Sequence, residues 1–84
     1  MSMPIELRAL PYKLTPRERD AIVMLGKLMG GDKAVAAALG ISCGTVKVYF
    51  TRIRQNLTAQ GFDVNSRYKF ITWAREHMSE LEAE

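Results

Sequence analysis

The sequence predicts an all-α fold, a four-helix bundle with a central helix-turn-helix. Three observations predict it: apolar residues recur at helical spacing, Ser and Thr stand where helices would begin, and Gly stands where helices would end. At 84 residues the chain is long enough for one small core and too short for a deep catalytic cleft. We therefore divide it into an N-terminal arm, residues 1–13, and a single domain, residues 14–84.

The first helix is predicted from Pro16 to about Met29. Thr15 is a favourable N-cap, and Glu18 stands three residues later, where its carboxylate would complete a capping box. Pro16 lacks only an N–H that the first helical turn leaves unpaired in any case. The glycine pair at positions 30–31 has the backbone freedom to end this helix.

The second helix is short, about residues 33–39, with Asp32 as its expected N-cap and Gly40 at its end. Because isolated helices of this length are marginal in water, packing on neighbouring helices must hold it. Ser42 is a further N-cap and begins the next helix after a short turn. A helix, a turn of about three to four residues containing glycine, and a second helix form the helix-turn-helix unit.

The third helix is predicted from about Ser42 to Ala59 and has two distinct faces, since successive residues turn by about 100°. One face is an apolar stripe suited to the core, made of Val46, Phe50, Ile53 and Leu57. Tyr49 lies at the edge of this stripe, where packing and a phosphate contact through its hydroxyl both remain open. The stripe therefore predicts which face of this helix is left for a partner.

The opposite face of the third helix suits the major groove of DNA. Val48 and Thr51 lie at its front, Lys47 and Arg54 flank one side, and Arg52 flanks the other. The groove is about 12 Å wide, with base edges ahead and phosphates on either side. Any solvated helix can carry such cations, so the helix-turn-helix context is what favours DNA. We predict base contacts for Val48 and Thr51 and phosphate contacts for the two arginines, whereas Lys47 is close enough to the front to reach a guanine edge and close enough to the flank to reach a phosphate.

A fourth helix is predicted from its Ser66 cap to about Met78. Its aromatic and aliphatic side chains offer more apolar surface than one small core can bury. We therefore predict a homodimer that forms through Tyr68, Ile71 and Trp73, although Trp73 is also a candidate for the core.

The net charge of +3 hides a basic middle of the chain. From Lys33 to Arg75 the sequence has seven basic residues and one acid, Asp63, whereas the tail from Glu76 to Glu84 has four acids and no Lys or Arg. This distribution predicts a polyanion as partner. No apolar run approaches the roughly 20 residues that span a bilayer, so we predict a cytoplasmic protein without a membrane partner.

No group of residues in the sequence indicates catalysis. The chain lacks a nucleophile with its base, a set of metal ligands and a phosphate-binding loop, so we predict that it is not an enzyme and needs no metal or cofactor. Cys43 has no second cysteine and is interpreted as an inert small residue. His77 has no companion ligands and is predicted to lie at the surface.

Several spaced words of the sequence resemble the LuxR-type DNA-binding domain, also called NarL/FixJ or GerE-like. They are "LTPRERD", "DKAVAAALGISCGTVKVY", "NSR" and a downstream "WA", and they run from about Leu14 to Arg75. The resemblance implies a four-helix bundle whose recognition helix starts near Ser42 and whose fourth helix packs against its twin in a homodimer. RNA polymerase is a further candidate partner of such a regulator.

The resemblance also assigns positions to individual residues. It implies that Lys47 contacts bases together with Val48, and that Lys33 and Thr45 contact the DNA backbone. It further places Glu18 and Arg67 at positions whose side chains often pair across the first and fourth helices in family members. We expect the same pair here.

The leading interpretation is therefore a transcription regulator that binds double-stranded DNA as a dimer. One alternative is a promoter-reading domain four of a sigma factor, although such domains usually end soon after the recognition helix. A second alternative is a protein-interaction adaptor on the same fold, favoured by the alanine-rich second helix. Steep salt dependence of DNA affinity would separate DNA binding from the adaptor.

Overall fold

The computed structural model describes residues 11–82, and within that range the chain is all-α, as predicted, without any strand. The described residues form one 3₁₀ turn and five α-helices: the turn Pro11–Lys13, α1 Pro16–Leu28, α2 Asp32–Leu39, α3 Cys43–Ala59, α4 Arg67–Glu76 and α5 Met78–Glu82. Helix α1 packs against each of the other four helices. It is therefore the support on which the remaining helices are arranged.

The predicted fourth helix is broken into α4 and α5 at His77. The His77 backbone N–H and its ring Nδ1 both lie within hydrogen-bond distance of the Trp73 carbonyl, at 3.1 and 2.8 Å. The imidazole also stacks on the Trp73 ring, with centroids 4.2 Å apart. The short α5 that follows buries Leu81 completely against the core.

The start of α1 is capped as predicted, and its end differs in one detail. Thr15 accepts a hydrogen bond from the Glu18 N–H at 3.2 Å, and the Glu18 carboxylate accepts one from the Thr15 N–H at 2.9 Å. The left-handed residue that ends the helix is Met29, with φ of 50°, and not one of the glycines that follow. The Met29 side chain is thereby left 54% exposed at the surface.

The predicted cap of α2 is wrong. Gly31 occupies the N-cap position, no side chain caps the helix there, and Asp32 is instead the first helical residue. The Asp32 carboxylate turns toward α4 and lies 3.2 Å from Nη2 of Arg67. An acid in the first turn still favours the positive end of the helix dipole.

The core lies between α1 and the helices packed around it. All four residues of the predicted α3 stripe are buried, and they meet apolar residues of α1, α2 and α4: Ile22, Leu25, Val35, Phe70 and Ala74. The rings of Phe50 and Phe70 contact edge to face at 5.4 Å. Burial of one face of α3 leaves its opposite face turned outward.

The last residues of the predicted N-terminal arm pack on the domain, whereas residues 1–10 lie outside the described part of the chain. Both Tyr12 and Lys13 have positive φ, near 60°, which is strained for residues with a side chain. The amide of Asn56 donates to their carbonyls at 3.1 and 3.2 Å, and the Gln60 amide donates to the Tyr12 carbonyl at 2.7 Å. The end of α3 thus holds this turn in place.

Tyr12 is the centre of an aromatic cluster under α4 and α5. Its ring contacts Phe62, Trp73 and His77 edge to face, with centroids 4.9 to 5.5 Å apart. Its hydroxyl donates a hydrogen bond to the Glu80 carboxylate. Burial, together with this bond to an anion, raises the pKa of Tyr12 to about 12. His77 is therefore half-buried within this cluster and only partly exposed at the surface where it was predicted to lie.

Candidate nucleic-acid interface

The turn between α2 and α3 sets the direction of α3. Gly40 ends α2 with φ of 69°, and its N–H lies within hydrogen-bond distance of the Ala36 and Ala37 carbonyls. Ser42 then caps α3, as predicted, by accepting from the Thr45 N–H at 3.1 Å. The two helices are bent by 108° across this turn. Within residues 11–82 no single helix is long and apolar enough to cross a membrane, and only this bent pair would reach that length and composition together.

The outward face of α3 brings together the side chains that the sequence places at its front. A shallow groove of about 360 Å³ is lined by Lys47, Val48, Thr51, Arg52 and Gln55. All five side chains are exposed, and the Val48 side chain is 48% exposed although it is apolar. Helix α3 contains three cations and no acid. We call these five residues the exposed face of α3.

The hydroxyl of Thr51 is already engaged within α3. Its Oγ1 donates to the Lys47 carbonyl at 2.9 Å, a common arrangement for threonine inside a helix. The proton of this hydroxyl is therefore occupied, while its methyl group and its oxygen lone pairs remain for a partner. The predicted base contact of Thr51 is thus limited to apolar contact or acceptance of a hydrogen bond.

The two arginines predicted to contact phosphates have different surroundings. Arg52 is exposed on one edge of α3. Arg54 is half-buried, with its guanidinium carbon 4.8 Å from the centroid of the Phe70 ring. Its Nε is buried without a hydrogen-bond partner in the described part of the chain. Sequence reasoning treated these residues as equivalent because Phe70 belongs to a distant helix.

The remaining residues assigned to the DNA backbone differ in exposure. Lys33 is exposed in the first turn of α2. Thr45 is half-buried, and its hydroxyl lies 2.9 Å from that of Ser42. Tyr49 is half-buried and packs against the core, which leaves a smaller part of its ring for any partner.

The predicted dimer residues do not share one environment. Trp73 is only 5% exposed, and its Nε1 is buried without a partner among the described residues. Tyr68 is 79% exposed, and Ile71 is half-buried. A groove of about 490 Å³ is lined by Met29, Tyr68, Ile71, Thr72, Arg75 and Glu76. The burial of Trp73 thus removes it from this surface, and sequence analysis missed Met29 because a helix end gives no periodic signal.

The expected pair of Glu18 and Arg67 is absent. Glu18 is buried in the capping box with Thr15, whereas Arg67 makes its ion pair with Asp32. Since the two expected partners are each engaged elsewhere, the link between α1 and α4 comes from apolar packing. The sequence could not show which acid pairs with Arg67, because Glu18 and Asp32 both lie on other helices and either could reach it in the folded chain.

The described residues contain no group of three His, Cys, Asp or Glu side chains that could hold a metal ion. Cys43, at the start of α3, is a half-buried free cysteine. Comparison of the chain with protein-family models, with curated proteins and with solved structures found no match. The function must therefore be argued from the geometry and charge of this surface.

Proposed function

We propose that this chain is a sequence-specific, double-stranded DNA-binding transcription regulator of the LuxR type that acts in the cytoplasm. One observation carries the proposal: α3 projects an exposed, acid-free face after a 108° bend from α2. Helix-turn-helix units join their two helices at about 90–120°, and the second helix enters the major groove. Helix α3 is the recognition helix in this proposal.

The chemistry of the exposed face supports separate roles for its residues. Val48 and the methyl group of Thr51 offer apolar contact to a thymine methyl group, and Lys47 can donate to a guanine edge. Arg52 lies on one edge, where a long cation reaches the phosphates. Lys33 and Thr45, in the first turns of α2 and α3, contact the DNA backbone in this proposal.

We further propose that the regulator binds DNA as a homodimer. The groove around Tyr68 and Ile71 continues onto Met29 at the C-terminal end of α1, so apolar surface comes to it from both α4 and the end of α1. Exposed apolar patches of this kind mark sites of protein association. A two-fold dimer would place two copies of α3 on successive half-sites.

The proposal is tested by selecting duplexes from a random pool and measuring their affinity by fluorescence anisotropy. We expect a preferred sequence. We also expect that a plot of the logarithm of the binding constant against the logarithm of salt concentration has a slope of about −0.9 for each neutralised phosphate. Arg52→Glu should weaken binding to every duplex. Lys27→Glu is the matched control, because Lys27 lies on α1 and pairs with Glu82.

Two results would contradict the proposal. Selection without any enriched sequence would exclude specific recognition. A shallow salt dependence, with Arg52→Glu no weaker than Lys27→Glu, would show that α3 does not contact phosphates and would favour the protein-interaction adaptor.

A further inference from the structure

Helices α2, α3 and α4 meet around a recess that lies beside the exposed face of α3. The recess measures about 270 Å³ and is lined by Asp32, Lys47, Phe50, Thr51, Arg54 and Arg67. Three of these side chains are cations, and Asp32 is the single carboxylate among them. The formal charge of the lining is therefore +2, on a surface where α3 and α4 both contribute arginine.

Arg54 is positioned in this recess by packing. Its guanidinium lies over the Phe70 ring at 4.8 Å, and its buried Nε has no hydrogen-bond partner among the described residues. A planar arginine held in this way has little side-chain entropy left to lose when an anion binds. The buried donor also lacks the compensation that buried polar groups normally have. Both features favour an anionic ligand.

Arg67 is held at the recess by Asp32. Its Nη2 lies 3.2 Å from the Asp32 carboxylate, and its side chain is 52% exposed. Guanidinium groups have several donors, so Arg67 can bind a phosphate oxygen while it keeps or exchanges its contact with Asp32. A single carboxylate cannot neutralise all three cations. The pair therefore holds Arg67 in place without closing the recess to an anion.

The recess continues into the exposed face, because Lys47 and Thr51 line both. Arg52 lies on the opposite edge of α3, about 140° around the helix from Lys47 at 100° per residue. Phosphates border the major groove on two sides in the same way. An anion in the recess would thus be a neighbour of any base contacted by Lys47 or Thr51.

We propose that this recess binds one backbone phosphate of the DNA, through Arg54 and Arg67 with Lys47 beside them. The inference rests on the proposed function and deepens it, since it assigns α4 a direct contact with DNA. Asp32 is a competing anion that holds Arg67 in the free protein. Arg54 and Arg52 then serve different strands of the duplex.

The first test compares Arg67→Gln with Lys27→Gln. The two side chains are matched, because each is about half exposed and each pairs with one acid. Arg67→Gln should lower the affinity for all duplexes about ten- to a hundredfold, the scale of a charge-assisted hydrogen bond, and reduce the salt slope by about one unit. Lys27→Gln should change neither.

The second test removes the competing carboxylate. Asp32→Asn should tighten DNA binding, because it frees Arg67 and raises the positive charge of the recess. If Asp32 and Arg67 formed only a structural pair, both Asp32→Asn and Arg67→Gln would lower the melting temperature and weaken binding. Opposite effects of the two variants on affinity are therefore the result expected from a phosphate site.

The third test locates the phosphate on the DNA. Duplexes carrying one uncharged methylphosphonate at successive positions should reveal a position that weakens binding of the unmodified chain more than that of Arg67→Gln, in which only Arg54 and Lys47 still contact the phosphate. Equal responses of Arg67→Gln and Lys27→Gln, with DNA binding by the unmodified chain intact, would overturn the recess and leave the proposed function standing. Failure of the unmodified chain to bind any duplex would overturn both.

Discussion

In the proposed complex, side chains on the exposed face of α3 would offer DNA different kinds of contact. Val48 presents apolar surface, and Thr51 presents its methyl group because its hydroxyl proton is bonded to Lys47. Arg52 presents a long cation at the edge. Apolar contact with bases depends on sequence, whereas contact with phosphate does not. At the scale of single residues, sequence preference and general affinity should therefore be separable.

Val48→Ala and Thr51→Ser should change which sequence is preferred. In the proposed orientation each removes methyl groups that would face the bases, so discrimination at one base pair should change by about 1 to 3 kcal/mol with little effect on the salt slope. Arg52→Ala should instead weaken binding to all sequences alike. Affinities for a panel of single-base variants, measured at several salt concentrations, check this. Equal losses of specific and nonspecific affinity in all three variants would mean that α3 is oriented differently.

Tyr12 should make the stability of the fold sensitive to alkaline pH. Its pKa is raised from 10.0 to about 12 in the folded chain, so the folded state favours the protonated phenol. The stabilisation is complete below pH 10 and is lost as pH rises from 10 through about 12. Denaturant unfolding should show that the free energy of unfolding falls across this pH range. In Tyr12→Phe the fall should be smaller, because the titrating hydroxyl is absent. An unchanged pH dependence in Tyr12→Phe would contradict the assignment.

Sequence reasoning located the exposed residues of α3 but not their finer surroundings. The helical period was enough to predict that Val48 faces outward and that Ile53 is buried. It could not distinguish Arg54 from Arg52, because the Phe70 ring beside Arg54 lies sixteen positions away in the chain. The ion pair of Arg67 escaped it for the same reason.

At the scale of elements, the α2–α3 turn decides where α3 points. Gly40 adopts φ of 69°, yet nothing lies within 4 Å of the Cβ that another residue would place there. The requirement for glycine is thus conformational and not steric. Gly44, in the first turn of α3, has no such φ and an equally open environment, with Ser42 Oγ at 3.8 Å.

Gly40→Ala should therefore lower the free energy of unfolding by about 1 to 2 kcal/mol, because a Cβ disfavours the left-handed conformation. Gly44→Ala is the matched control and should raise it by up to about 1 kcal/mol, since alanine is the better helix former. Urea denaturation measures both. A loss of stability in Gly44→Ala equal to that in Gly40→Ala would show that the turn conformation is not the cause.

Helices supported by local signals were predicted well, and those shaped by distant contacts were not. Thr15, Ser42 and Ser66 all cap the helices that the sequence assigned to them. The break at His77 has no local signal, because apolar residues continue at helical spacing through Leu81. It depends on stacking against Trp73 and on the edge contact with Tyr12, which is distant in sequence.

At the scale of the whole molecule, the question is what covers the apolar groove between α1 and α4. Leu28 and Met29 are about half exposed at the end of α1, and Tyr68 is almost fully exposed on α4. The left-handed end of α1 places Met29 beside this helix. Isolated exposed apolar residues are common on proteins, whereas a shared groove from two helices is typical of an interface.

Tyr68→Glu should convert the proposed homodimer into a monomer. Tyr68 is 79% exposed, so the substitution should leave the helix content of the folded chain unchanged in circular dichroism while placing a charge where two apolar surfaces would meet. Sedimentation equilibrium over a wide concentration range should show a dimer for the unmodified chain. Val48→Glu is the control, because it places the same charge on the exposed face of α3 and should remain a dimer.

On a palindromic duplex the unmodified chain should bind as two copies with cooperativity, and Tyr68→Glu should bind its half-sites independently. A monomer at every concentration, together with one copy of the unmodified chain on the palindrome, would contradict dimerisation through this groove. If the unmodified chain is a monomer in solution but binds the palindrome cooperatively as two copies, the groove remains the interface provided that Tyr68→Glu removes this cooperativity.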